Sequence, residues 1–287
     1  VCSTIAQISG ALTNIILDPI LIYGLFGMPE MKVKGAAYAT VIGQIVSFAV
    51  AVVFHIKKNT MIKNRMCYFR PDINIIKAIY SIGFPAIISQ ALISVMTYGL
   101  NIILGGISEA MVTAYGLYYK IQQFLLFAAF GMRDAIMPVT AYAHGMNDRK
   151  RIRSGVKYGQ LYTFIIMLFG FVLIEILAVP FSEIFGLSGE TQELCISAMR
   201  IISISFVFAG INIAFQGVFQ ALNGGIESLI ISFCRQIIFI FPFAVLFAQT
   251  AKSNTDMSWL LWITFPVAEV LTALISVFLF RRIWNKK

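Results

Sequence analysis

Charge is scarce in this sequence. Asp, Glu, Lys and Arg make up 12% of its 287 residues, against roughly 25% in a soluble domain. With 59% of the residues hydrophobic and a mean hydropathy of +0.84, the chain reads as an integral membrane protein. Acids are the scarcer sign, 13 against 22 bases, for a net charge of +9. On a soluble face that imbalance points to nucleic acid; here the bases collect in loops beside apolar runs, which argues against a nucleic-acid partner and for orientation in a bilayer. Histidine is limited to His55 and His144, beside basic residues at the ends of apolar runs, where both read as interface residues. The four cysteines, Cys2, Cys67, Cys195 and Cys234, form no CxxC pair and none stands at ligand spacing from a histidine. That excludes a disulfide framework and a zinc site and leaves packing. HExxH, an aspartate-rich diphosphate motif, GxSxG and a Walker loop are all missing, so no protease, prenyl transferase, lipase or ATP-driven pump is supported, and the chain is expected not to be an enzyme.

What is present is a series of apolar runs. A window of about 20 residues finds eight candidate spans, near Ile5 to Phe26, Gly35 to Ile56, Ile75 to Leu104, Met111 to Tyr142, Val156 to Phe181, Leu194 to Leu222, Ile226 to Ala248 and Trp259 to Arg281. The fold class expected is all-α, a polytopic bundle of about eight transmembrane helices. Several runs exceed what a bilayer needs and carry Gly or Pro, at Gly83 with Pro85, Gly131 with Pro138, Gly217 and Pro242. Breaks there would suit helices around a wet cavity, although tilt and ordinary kinking account for the same residues.

Loop charges give an independent topology. Lys57, Lys58, Lys63, Arg65, Arg70 and Lys77 follow the second span, Arg149, Lys150, Arg151, Arg153 and Lys157 the fourth, and Arg281, Arg282, Lys286 and Lys287 the eighth. The opposite side has Lys32, Lys34 and Lys252, with acids at Glu183, Glu190 and Glu193. The positive-inside rule then puts both ends of the segment in the cytoplasm, in a multi-pass plasma-membrane protein. Lys120, Arg133, Arg200 and Arg235 are left in or at the ends of spans, where charges need partners. The chain begins at Val1 and runs straight into a span, as expected of a partial sequence.

The most telling run is TNIILDPILIYG, Thr13 to Gly24. Asn14 and Asp18 are four apart and share a helical face. Pro19 gives no N–H and crowds the carbonyl four residues back, so an amide, a carboxyl and a loosened backbone converge. A carboxylate at membrane depth costs about 2.5 to 3.5 kcal/mol even on lenient scales, so Asp18 is to be paired, protonated or facing a wet cavity, and is a candidate for binding a cation or a proton. The alternative is that Asn14 and Asp18 only join helices by hydrogen bonds.

NIILDPILIYG followed by VKGAAYATVIGQ resembles the fifth and sixth helices of the multidrug and toxic compound extrusion (MATE) transporters. The resemblance continues through SIGFPAIISQ, AYGLYYKIQQFLLFAAFGMRDAIMPVTAYAHGMND, FQGVFQALNGG, CRQIIFIFPFA and ITFPVAEVL. It implies two six-helix bundles, of which this chain would hold the last two helices of the first (residues 1–58), a cytoplasmic linker (59–74) and the complete second bundle (75–287). The first four helices would be missing. It also implies that Asn14, Asp18 and Thr40, with an aspartate of the absent first helix, form a proton- or sodium-binding site.

Other polar residues at membrane depth are weighed on their chemistry. Gln90, Asn101, Asn212 and Gln216 are candidates to line a cavity or to join helices. Met96, Tyr98 and Tyr119, with Tyr115, Tyr118 and Phe124, offer a soft wall for a flat lipophilic cation. Lys120, Glu175, Arg235 and Glu269 read as structural intramembrane charges. No cofactor and no metal site is expected, only H+ or Na+ as a coupling ion. Some family members carry acidic residues in the second bundle, eight after the proline of a GxP turn and twelve before a terminal glycine. The matching positions are Ile93 and Asn212, so the coupling site is expected in the first bundle. The function implied is secondary efflux of cationic or lipophilic small molecules, by a monomer in the lipid bilayer, in exchange for H+ or Na+ by alternating access. The alternatives are a lipid-linked oligosaccharide flippase, whose cleft needs several cations, and an integral-membrane enzyme.

Overall fold

The computed structural model describes residues 2–58, 72–253 and 257–286. Every regular element among them is a helix: α1 Cys2–Tyr23, a 3-10 turn Leu25–Gly27, α2 Lys32–Lys58, α3 Ile73–Gly105, α4 Glu109–Gly145, α5 Arg149–Ile184, α6 Gly189–Ser203, α7 Phe206–Ala221, α8 Gly225–Phe233, a π turn Cys234–Ile238, α9 Ile240–Ser253 and α10 Leu260–Lys286. Seven of the resulting helices are long and apolar enough to cross a membrane, and α6 with α7, bent by 53°, makes an eighth. This is a multi-pass helical membrane protein.

Starts are set by side chains that take up the free N–H groups of a first turn. Asp72 accepts from Asn74 N–H at 2.8 Å before α3, Ser108 from Met111 N–H at 3.2 Å before α4, and Asp148 from Arg151 N–H at 3.0 Å before α5. Just after α1, Gly24 takes φ +69°, the left-handed stop that a residue without Cβ adopts freely.

The chain divides into two units, Val1–Pro71 and Asp72–Lys287. Most of the expected linker, residues 59–71 with Cys67, lies outside the described residues. In the first unit α1 packs on α2 at a crossing made by glycines. A Cβ on Gly10 would lie 2.7 Å from the Gly43 carbonyl, and one on Gly43 2.8 Å from the Gly10 carbonyl. Small residues at such a crossing let two backbones touch, which is how helices associate where lipid offers as much apolar contact as protein. In the second unit α4 packs on α5, α6 and α7, α7 on α8 and α10, and α3 on α8 and α9. Its core includes Tyr115, Tyr118, Phe206 and Trp262. Many large apolar side chains are left exposed, Phe124 at 76% and Phe169 at 67% among them, while Asn212, Gln216, Gln236 and Glu269 are buried. Apolar outside and polar within is the partition expected of a protein whose solvent is hydrocarbon.

The breaks fall elsewhere than Gly and Pro suggested. Helix α3 runs through Gly83 and Pro85, and α4 through Gly131 and Pro138. Gly217 is a notch inside α7 that receives Arg133: a Cβ there would lie 2.6 Å from Arg133 Cγ. Pro85 is buried, and Gly225 of α8 lies against it and against the Ser81 carbonyl that the proline cannot bond. The proline therefore makes a helix contact instead of a break. The real bend, between α6 and α7, has neither Gly nor Pro. There the hydroxyl of Ser205 donates to Ile202 O at 2.6 Å and that of Ser203 to Arg200 O at 2.8 Å, local bonds that compete with the helical ladder. Only Pro242 lies near an irregularity, just after the π turn, where Phe239 N–H reaches back to Cys234 O. Widening that turn makes room for a proline ring that would press on the carbonyl four residues before it.

Candidate functional site

Two polar places lie at membrane depth, one in each unit. In the first, the glycine crossing brings the amide of Asn14 to donate to Thr40 Oγ1 at 3.4 Å, while the Thr40 hydroxyl donates to Ala36 O at 2.9 Å. Both residues line a cleft of about 440 Å³ with Gln7, Gln44 and Ser47. Asp18 stands one helical turn along α1, half-buried, outside the residues lining the cleft. Its Oδ1 is shut off from solvent and has no hydrogen-bond partner among the described residues. Withdrawing a carboxylate oxygen from water without a partner is costly.

The second place is built by a polar ladder. Asn212, Gln216 and Gln220 recur every four residues on one face of α7, and the next helix answers them in reverse order. Gln220 Nε2 donates to Ser228 Oγ at 3.0 Å and Gln216 Nε2 to Ser232 Oγ at 3.1 Å. At the head of the ladder, Asn212 Nδ2 donates to Glu269 Oε2 at 2.8 Å and to the Glu269 carbonyl at 3.0 Å. The Ser276 hydroxyl donates to Asn212 Oδ1 at 2.9 Å. Arg235, carried on the π turn, donates from Nε to Glu269 Oε1 at 2.5 Å, both side chains about nine-tenths buried. Two adjoining cavities open on this network. The larger, about 160 Å³, is lined by Ser89, Gln90, Ile93, Arg133, Gln216 and Gln236 among others; the smaller, about 50 Å³, by Met96, Tyr119, Phe130 and Glu269. Arg235 and Gln236 line both, and the Gln236 Oε1 has no partner among the described residues.

Several sequence expectations change here. Asn212 lines neither cavity; it is fully buried behind them, its amide used in holding Glu269. Tyr98 is 71% exposed and outside the cavities, as is Phe124. Tyr115 and Tyr118 belong to the core, with Tyr115 stacked on Phe265 at 5.8 Å; Met96 and Tyr119 line the smaller cavity, and the Tyr119 hydroxyl accepts from Gln123 Nε2 at 2.7 Å. Lys120, expected as a structural intramembrane charge, is exposed with no ion pair among the described residues, a long stem that can carry its charge along the helix surface. Arg133 pairs with its neighbour Asp134 at 2.9 Å. A Glu175 carboxylate oxygen lies 2.9 Å from the Ser203 hydroxyl, at the α6–α7 bend, where it competes with Arg200 O for that hydroxyl's one proton. Position 212 carries no acid, and the carboxylate of Glu269, delivered by α10, lies beside it, 2.8 Å from Asn212 Nδ2. Sequence reasoning passed over Gln220, Ser228, Ser232 and Ser276. The signal was available in the four-residue spacing of Asn212, Gln216 and Gln220, and of Ser228, Ser232 and Gln236, in otherwise apolar helices.

Carboxylates held at depth in helices of membrane-spanning length, as Asp18 is in the first unit and Glu269 in the second, are a mark of functional sites in membrane proteins. The MatE family model matches residues 85–246, and the chain belongs to that family. The multidrug export protein MepA of Staphylococcus saprophyticus is 26% identical over 282 residues, 98% of this chain and 60% of the relative. MepA of Staphylococcus haemolyticus is 24% identical over 288 residues, 100% of this chain and 61% of the relative. Among solved structures, an outward-facing multidrug resistance MATE family transporter of the MOP superfamily superimposes with a TM-score of 0.87 at 26% identity, over 97% of this chain and 61% of that one. A MOP superfamily transporter from Pyrococcus furiosus gives 0.83 at 27%, with the same coverage. The chain thus spans about 60% of the length of the relatives it matches.

Proposed function

We propose that this protein is a secondary active efflux transporter that exports cationic or lipophilic small molecules in exchange for H+ or Na+ by alternating access, with Asn14, Asp18 and Thr40 as its ion-binding residues. The relatives named as multidrug export proteins support the substrate class. The observation that carries the coupling assignment is Asp18 Oδ1, buried with no hydrogen-bond partner among the described residues. Glu269, the rival carboxylate, already has Arg235 on one oxygen and Asn212 on the other, so its charge is neutralised without a mobile ion. Asp18 has neither. An ion entering the first unit would meet one carboxylate oxygen, with the Asn14 amide and the Thr40 hydroxyl a turn away.

The test uses the full-length protein in proteoliposomes. Asp18→Asn keeps the side-chain shape and removes the charge; ion-driven substrate efflux should fall at least about ten-fold, the factor that corresponds to about 1.4 kcal/mol, while insertion and folding persist. Glu269→Gln should keep the dependence of transport on the imposed gradient. Normal coupling in Asp18→Asn, or its loss in Glu269→Gln alone, overturns the assignment.

The flippase reading has no support among the relatives. A diphosphate needs several unneutralised cations, and the two arginines lining the cavities are each paired, Arg133 with Asp134 and Arg235 with Glu269.

A further inference from the structure

A third cavity, of about 420 Å³, opens at the basic end of the second unit, among the α4–α5 turn, the end of α7 and the end of α10. It has two different walls. Asn147, Arg149 and His144 line one; Ile152, Ile283 and Trp284 line the other. The polar wall comes from a turn whose shape is fixed: Asn147 takes φ +55°, its N–H reaches His144 O at 3.0 Å, and Asp148 N–H reaches Ala143 O at 3.1 Å. The carboxylate of Asp148 is occupied in capping α5, so the acid nearest in sequence is committed to backbone. Arg149 is the base that lines the cavity; Lys150, Arg151 and Arg153 follow it on the first turns of α5, and Arg281 and Arg282 stand near the end of α10. None of these residues takes part in the ion site or in the polar ladder.

We propose that this cavity is a binding site for the headgroup of an anionic phospholipid, with the phosphate against Arg149 and Asn147 and the glycerol and first methylenes against Ile152, Ile283 and Trp284. Three properties select that occupant. The place lies where spanning helices end, at the depth of headgroups. Arg149 in its lining, backed by the other bases on the same helix ends, matches a phosphodiester, and basic pockets between transmembrane helices are the recognised form of headgroup site. Its other wall is apolar and carries an indole, the side chain that suits the boundary between headgroup and acyl chain. A free phosphate would use the first wall and gain nothing from the second.

Trp284 gives a direct readout. With Trp259 and any tryptophan outside these 287 residues changed to Phe, and with Trp262 fully buried, quenching by brominated lipid reports chiefly on Trp284. In vesicles of phosphatidylcholine containing one-quarter phosphatidylglycerol, brominated phosphatidylglycerol should quench about five-fold more effectively, mole for mole, than brominated phosphatidylcholine, the ratio corresponding to about one interfacial arginine. Arg149→Gln should bring that ratio close to one, Arg149→Lys should restore most of it, and Lys252→Gln, at the opposite ends of the helices, should leave it unchanged. Equal quenching by the two lipids in this tryptophan background overturns the proposal. So does displacement of the brominated phosphatidylglycerol by millimolar glycerol 3-phosphate, which would make the cavity a site for soluble phosphate.

Discussion

Asp18 and Glu269 are both carboxylates in apolar helices, and what separates them is their partners. Glu269 is held by Arg235 and Asn212, and breaking a buried pair from one side costs about 3–5 kcal/mol because the survivor keeps its charge without compensation. Arg235→Met should therefore lower the melting temperature of the purified protein sharply, whereas Arg235→Met combined with Glu269→Gln should recover most of the loss, since an amide still accepts from Asn212. If the double variant melts no higher than the single, Arg235 contributes by packing and the ion pair carries no weight. In the sequence each of these residues was visible as a charge near a proline, but a pairing across 34 positions leaves no local pattern. Position 212 misled for the same reason: counting along one helix finds an asparagine, and the carboxylate beside it belongs to another helix.

At the scale of elements, the number of spans and most of their limits were legible, because an apolar run of bilayer length is rarely anything but a spanning helix. The breaks were not. Gly and Pro weaken an isolated helix, yet in a bundle their effect depends on the neighbour that meets them: Gly225 lets α8 close on Pro85, and Gly10 with Gly43 lets α1 touch α2. Gly131, by contrast, would meet nothing within 4 Å if a Cβ were added. Gly131→Ala should then leave the melting temperature unchanged or raise it, as alanine is the better helix former by about 1 kcal/mol. Gly43→Ala should destabilise by about 1–3 kcal/mol and, by prising Asn14 from Thr40, weaken ion-driven efflux. A Gly43→Ala protein as stable and as active as the parent would mean that the crossing is looser than its 2.8 Å approach implies.

At the scale of the whole molecule, charge and helix direction can be tested against each other. The α4–α5 turn, the α7–α8 turn and the end of α10 meet at one end of the second unit, around the same cavity, and that end carries Arg149, Lys150, Arg151, Arg153, Arg281 and Arg282. The α5–α6 turn follows a helix of 36 residues that starts at the basic end, about 54 Å of chain at 1.5 Å per residue, so Ser188 must lie across the bilayer from Arg149. It stands beside Glu183, Glu190 and Glu193, with no base between Ile184 and Cys195. The positive-inside rule supports the proposal that the basic end faces the cytoplasm. Ser188→Cys should accordingly react with a membrane-impermeant thiol reagent applied from outside, and Cys67, in the basic segment between α2 and α3, only from the cytoplasmic side. The other thiols interfere little, since Cys195 and Cys234 are buried and Cys2 can be changed to Ser. Labelling of Ser188→Cys only from within would invert the orientation. The ion-binding assignment would survive that result, but the direction of export drawn from it would not.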